Sequence, residues 1–138
     1  NPTSRAECMA EQAYQWSRGQ AVFATGSPFA AVTYDGRQFR PGQGNNAYVF
    51  PGIGLGAVAC RARYIPDEFF LVAARTLASL VTDNDLRAGA LYPPLRDIRR
   101  ISLAIATRVA EQAYQLGLAR AKRPRHLKTA IARFVYEP

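Results

Sequence analysis

Two adjacent asparagines, Asn45 and Asn46, are the residues of this sequence best suited to holding a small polar ligand. They stand in the run Arg40-Pro41-Gly42-Gln43-Gly44-Asn45-Asn46-Ala47-Tyr48-Val49-Phe50-Pro51-Gly52-Ile53-Gly54-Leu55-Gly56. Their amides offer both donors and acceptors, which match a carboxylate, a hydroxyl or a carboxamide. Gly42 and Gly44 let the backbone turn sharply and approach a ligand closely. From Pro51 the pattern becomes a helix rich in small residues. A polar loop that feeds a helix start favours anions, because the first amides of a helix are unpaired and its dipole is positive there. The same residues also make an ordinary glycine-rich turn whose asparagines bond to their own backbone. Local chemistry alone favours that plainer reading.

Other chemistry is thin. Gly54-Leu55-Gly56-Ala57-Val58-Ala59 fits the loose G-x-G-x-x-G/A pattern of a dinucleotide loop. A true fingerprint follows a strand and finds an acid about twenty residues later. Here Pro51-Gly52 precedes it and Ser79 stands where the acid belongs, so these glycines are expected to serve helix packing. His126 is the single histidine and lies between Arg125 and Lys128, a poor setting for a cation. Asp83-Asn84-Asp85 resembles the start of a calcium loop, but the glycine needed at the sixth position is missing; the segment reads as a helix-ending turn. Ser27 has no base near it in sequence, so nucleophilic catalysis has no support. No metal ligand set and no catalytic set is expected on the chain.

These residues must be positioned by short strands and then by helices. Ser4 and Glu7 have capping-box spacing, so a first helix is expected from near Ser4 through Ala10, Ala13, Tyr14 and Trp16, stopping by Gly19. Ala21 to Thr25 suits a buried strand, ended by Gly26-Ser27-Pro28. Val32-Thr33-Tyr34, Asp35-Gly36 and Arg37-Gln38-Phe39 form the clearest hairpin signal in the chain. After the glycine–asparagine loop everything reads as helix. Pro66 opens one with Asp67 and Glu68 in its first turn, where the dipole favours acids, and with Phe70, Ala74, Leu77 and Val81 as its apolar stripe. Leu91-Tyr92-Pro93-Pro94-Leu95 is a stiff connector. A helix from about Asp97 places Ile98, Ile101, Ile105, Val109 and Leu116 on one face and ends at Gly117. A last short helix runs from Leu127 to Tyr136, with Ile131, Phe134 and Val135 as its apolar side. The hexapeptide Ala-Glu-Gln-Ala-Tyr-Gln occurs at both Ala10–Gln15 and Ala110–Gln115. Its flanks do not match and the period is not sustained, so it is read as coincidence.

The chain has 138 residues, the size of about one domain, and a formal charge of +8. Arg120, Lys122, Arg123, Arg125, Lys128 and Arg133 crowd its final stretch, opposed there by Glu137 alone. A basic tail of this kind can dock nucleic acid or an acidic protein, and such a binding module is the alternative function. A solvated helix face explains the charge more simply, and the aromatics do not interleave with it as a stacking platform requires. No apolar run reaches the roughly 18 residues of a membrane span, and no signal peptide is apparent. Cys8 and Cys60 belong to no C-x-x-C unit and read as thiols of a reducing, cytoplasmic setting. With Asn1 in first place, the chain is expected to be processed, trimmed or a fragment.

Six ordered blocks resemble malic enzymes: Asn1-Pro2-Thr3-Ser4, Ala6-Glu7-Cys8, Phe23 to Phe29, Pro41 to Asn46, Phe50 to Gly56 and Leu91 to Leu95. They cover nearly the whole chain. The resemblance implies an α/β fold. Residues 1–46 would be the closing part of a Rossmann-like NAD(P)-binding domain, with short strands and a hairpin. Residues 47–118 would be a mostly helical segment returning to the substrate domain, and 119–138 a basic tail helix. It also implies oxidative decarboxylation of malate to pyruvate with NAD or NADP and a divalent Mg or Mn ion, in a homo-oligomer.

In that family the asparagine of the Asn-Pro-Thr motif, Asn1 here, lies between malate and the nicotinamide. An asparagine of the Gly-Asn-Asn motif binds a malate carboxylate or hydroxyl, and both Asn45 and Asn46 carry over. The family's tyrosine acid, lysine base, substrate-binding arginine, acidic metal ligands and main dinucleotide loop belong to sequence before Asn1 and have no counterpart here. The isolated chain is therefore expected to be inactive. Met9 stands where the family carries a threonine, which costs a cap on the helix at Ala10. The basic tail departs from the mixed-charge tails of the family.

Overall fold

A computed structural model describes residues 2–135. Asn1 and the expected helix end at Tyr136 lie outside the described residues. The chain is α/β and packs as two compact units, the described part of 1–45 joined by Leu80–Pro93, and Asn46–Ser79 joined by the described part of 94–138.

In the first unit, helix α1 (Ala10–Trp16) is followed by strands β1 (Ala24–Thr25), β2 (Val32–Tyr34), β3 (Arg37–Phe39) and β4 (Gly42–Gln43), with the short helix α4 (Asp83–Arg87) supplied by the later segment. The hairpin forms as its sequence dictates, with Val32 opposite Phe39 and Tyr34 opposite Arg37. Asp35 and Gly36 take φ of 50° and 70°, the left-handed pair that a two-residue turn matched to strand twist requires. β1 runs parallel to β4, with Ala24 opposite Gly42 and Thr25 opposite Gln43. The strand expected over Ala21 to Thr25 is thus confined to its last two residues. Ala10, Tyr14, Val32 and Phe39 form the core, with Phe23, Phe29 and Tyr34 packed on it. Tyr14 stacks on Phe39 with ring centroids 4.3 Å apart, and burial pushes its phenol pKa up.

Helix α1 starts later than its sequence suggests. Thr3–Arg5 makes a single 3-10 turn, and Ala6 is extended at ψ 146°, so the Ser4–Glu7 box does not form. The cap of α1 is Met9. Its backbone N–H donates to Gln12 Oε1 at 2.8 Å, but its thioether provides no oxygen for the reciprocal bond.

The second unit consists of α2 (Phe50–Cys60), α3 (Asp67–Ser79), α5 (Ile98–Gln115) and α6 (Leu127–Ala132). Pro51 sits in the first turn of α2, where a missing N–H costs nothing. Ile53 and Cys60 of α2, Phe69, Ala73 and Leu77 of α3, Ile101, Ile105, Ala106, Val109, Ala110 and Ala113 of α5, and Ile131 of α6 are buried. Three expectations shift. The buried stripe of α3 is Phe69–Ala73–Leu77, while Phe70 is 44% exposed. Phe69, Phe70, Leu71 and Val72 are all apolar, so periodicity alone offers two registers one residue apart. Leu116, expected on the α5 face, is exposed because α5 ends one residue earlier, and Gly117 (φ 67°) turns the chain. Phe134, expected on the apolar side of the last helix, lies past the end of α6 and is also exposed.

The repeated hexapeptide is helical in both places and buries its first residue in each, but the second buried position differs, Tyr14 in α1 and Ala113 in α5. It is one sequence serving two packing geometries.

Candidate functional site

Strand β4 opens the glycine–asparagine loop and fixes its backbone. Gly42 N–H donates to Phe23 O at 2.9 Å and Gly44 N–H to Thr25 O at 2.7 Å. Gln43 adds a side-chain bond from Nε2 to Gly26 O at 3.3 Å. Gly42 is where this closeness is tightest, while a side chain at Gly44 would meet only ordinary contacts. A Cβ on Gly42 would lie 3.1 Å from Ala24 Cβ and 3.5 Å from Tyr92 Cδ2, and one on Gly44 would lie 3.7 Å from Tyr92 Oη. The ring from the Leu91–Leu95 block therefore lies along the loop, so two of the quoted sequence blocks meet. Under the loop, Ser27 N–H donates to Thr25 Oγ1 at 2.9 Å and Thr25 Oγ1 donates to Ser27 O at 3.1 Å, a tight side-chain turn.

Asn45 is exposed and is the last residue of the first unit; Asn46 is exposed and begins a 3-10 turn, Asn46–Tyr48. Asn46 O accepts from Val49 N–H at 3.1 Å. One turn therefore separates the asparagines from α2, which starts at Phe50 rather than at the loop itself. Of the three candidate residues, Asn45 and Asn46 are neighbours at the end of a pinned strand, and Asn1 lies outside the described residues.

The other side of the loop is held by residues that the sequence did not single out. Arg40 N–H donates to Ala88 O at 2.7 Å, and the Arg40 guanidinium pairs with the Asp85 carboxylate. Asp85 is 8% exposed. Its Oδ2 accepts from Thr82 N–H at 3.0 Å and from Thr82 Oγ1 at 2.7 Å. In return Asp85 N–H donates to Thr82 Oγ1 at 3.2 Å, the reciprocal pattern of a capping box. The Thr82 hydroxyl and amide, and then Arg40, hold the Asp85 carboxyl below its ordinary pKa, against the opposing effect of burial. Asp83-Asn84-Asp85 thus begins α4 instead of ending a helix. The signal was present, since Thr82-x-x-Asp85 has capping-box spacing.

Of the two glycines in Gly54-Leu55-Gly56 expected to serve helix packing, Gly56 does so together with Gly52, whereas Gly54 does not. A Cβ on Gly52 would meet Ile105 Cβ at 2.7 Å and one on Gly56 would meet Ala106 O at 2.7 Å, whereas one on Gly54 would meet nothing within 4 Å. Gly52 and Gly56, four apart, press α2 onto α5, and Gly54 faces away. Among the described residues no three His, Cys, Asp or Glu side chains come together as a metal site. Among the described residues no helix is long and apolar enough to cross a membrane. The basic tail begins docked on α2, with Arg63 N–H donating to Leu118 O at 3.1 Å and Ala121 N–H to Cys60 O at 3.1 Å. Cys60 beneath it is buried, which raises its thiol pKa.

The described residues thus give an α/β chain with one short parallel strand pair, a polar loop just past a strand end and a helical continuation. Comparison with known sequences makes this specific: the family model described as "Malic enzyme, NAD binding domain" matches residues 1–114. The chain belongs to the malic enzyme family. It is 49% identical over its full length to the NADP-dependent malic enzyme of Dictyostelium discoideum, covering 25% of that protein. It is 50% identical to that of Populus trichocarpa and 48% identical to the chloroplastic NADP-dependent malic enzyme 4 of Arabidopsis thaliana, covering all of this chain and 24% and 22% of those proteins. The chain thus spans about a quarter of the length of the curated relatives it matches.

Proposed function

We propose that this chain is the C-terminal part of an NADP-dependent malic enzyme, and that Asn45 and Asn46 bind malate while Asn1 stands between malate and the nicotinamide. The observation that carries the reading is the Pro41–Asn46 block within a family match over residues 1–114. NADP is preferred over NAD because the relatives bear that name. When bound, NADP supplies the acceptor for the hydride leaving the malate carbinol carbon.

The part played by this chain is to bind and orient. The two amide NH2 groups donate to carboxylate or hydroxyl oxygens. Being neutral, they add no charge that would compete with a divalent Mg or Mn ion held elsewhere in the enzyme. Gly42 and Gly44, bonded to β1, keep the amides at the end of a fixed strand, so ordering the loop does not have to be repeated at each binding event. Both cysteines are free thiols, which suits a reducing compartment such as the cytoplasm, and the full-length enzyme is taken as a homo-oligomer. The chain alone is inactive.

The test has two parts. In the full-length protein, Asn45→Ala and Asn46→Ala should raise the KM for malate by about tenfold or more in at least one variant, the loss expected when one or two hydrogen bonds to a charged group disappear. The KM for NADP should stay near its original value. The 138-residue chain assayed alone with malate, NADP and manganese should show no turnover. Turnover by the chain alone, or an unchanged malate KM in both variants, refutes the proposal.

A further inference from the structure

The loop that ends in Asn45 is held from two sides, and only one side is explained by strand pairing. β4 is pinned to β1 by its backbone. At the other end, Arg40 is fixed by its own N–H on Ala88 O and by its guanidinium on Asp85. Asp85 is the one buried charged residue among the described residues. A buried carboxylate is costly unless each oxygen is paired, and here the pairing is divided. Oδ2 takes the two Thr82 donors and Oδ1 takes Arg40. The carboxylate cannot rotate toward one partner without leaving the other.

Asp85 is itself immobilised by the capping box of α4, and Ala90 N–H returns to Asp85 O at 2.9 Å. The same short segment receives the Arg37 guanidinium on Arg87 O. Residues 82–90 therefore form a clip that grips the end of the hairpin and the start of the loop together. From Arg40 the chain runs through Pro41, whose ring fixes φ, to the pinned amides of Gly42 and Gly44, and Asn45 is next. A shift at Arg40 has little slack in which to dissipate before it reaches Asn45.

We propose that Arg40 and Asp85 are positioning residues for the substrate loop, setting the place of Asn45, and so the affinity for a dicarboxylic hydroxy acid, without touching the acid. This rests on the reading of Asn45 and Asn46 given above.

The experiment compares steady-state kinetics of the full-length enzyme carrying Arg40→Gln, Arg40→Lys, Asp85→Asn and, separately, Asn45→Ala and Asn46→Ala. Arg40→Gln should raise the malate KM by about tenfold, the scale of a small misplacement of a binding group. Its kcat and NADP KM should stay close to those of the parent under conditions where both are folded, while its melting temperature falls because buried Asp85 loses a partner. Arg40→Lys, which keeps the charge, should recover most of the loss. If Arg40→Gln does not fold, Asp85→Asn carries the test, because its amide oxygen still accepts from Thr82 while Arg40 loses its counter-charge. An unchanged malate KM in the brace variants, with a raised one in an asparagine variant, overturns the proposal. So does a parallel loss of malate and NADP parameters, which marks a structural role only. An unchanged malate KM in both asparagine variants instead removes the underlying reading of the loop.

Discussion

Adding one methyl group at Gly54 and at Gly56 should move the stability of this chain in opposite directions. Both glycines lie inside α2, so alanine gains about 0.8–1 kcal/mol of intrinsic helix propensity at either place. At Gly54 nothing lies within 4 Å of the added Cβ, and the gain should be realised almost in full. At Gly56 the same atom would sit 2.7 Å from Ala106 O and 2.9 Å from Val109 Cβ. Neither obstacle is a flexible side-chain end; one is the backbone of α5 and the other the first carbon of a branched residue buried in that helix. The helices must separate or slide, and overpacking of that kind costs about 1–3 kcal/mol, more where backbone has to move. Gly56→Ala should therefore lose about 1–2 kcal/mol net, and the two variants should differ by roughly 2–3 kcal/mol. Equilibrium urea unfolding of the chain, with the slope unchanged, measures that difference through the midpoint. Equal effects at the two positions would refute the packing argument. So would a Gly54→Ala enzyme that folds normally but no longer binds NADP, because the motif would then be a cofactor loop after all.

Two further outcomes follow from the caps and charges. Met9→Thr should stabilise the chain by about 1 kcal/mol in the same unfolding assay, since Gln12 already supplies half of a capping box and threonine completes it. Asp85 contributes stability above its ordinary pKa of 3.8, which is lost as the pH falls through its lower folded-state value; the unfolded chain then binds a proton that the folded one refuses. Stability measured from pH 6 downward should fall less steeply in Asp85→Asn than in the parent, and identical slopes would show that Asp85 does not titrate differently on folding.

The parts that were legible in the sequence are those fixed by near neighbours. Asp35-Gly36 between alternating runs determined the hairpin to the residue, because the turn itself requires two left-handed conformations. Pro66 and the acids after it located the start of α3, yet four consecutive apolar residues left its buried face ambiguous by one position. The start of α1 was misplaced because Thr3–Arg5 forms a 3-10 turn and Ala6 is extended, which replaces the helix that Ser4 and Glu7 would have begun. The asparagine loop was visible as chemistry, and the family blocks gave it a substrate. The Arg40–Asp85 pair was not visible at all, since two charges 45 residues apart leave no periodic trace; only the Thr82–Asp85 spacing hinted at half of it.

That separation has a consequence during synthesis. The segment Leu80–Pro93 belongs to the first unit but is made after Asn46–Ser79. At about 5–20 residues per second, Asp85 leaves the ribosome on the order of 2–9 s after Arg40. Through that interval β1, the hairpin and β4 can be present while the clip that closes on Arg40 does not yet exist. The brace on the loop is therefore a late fastening of its unit, and a nascent chain halted before Thr82 carries the asparagines with only one side of their support.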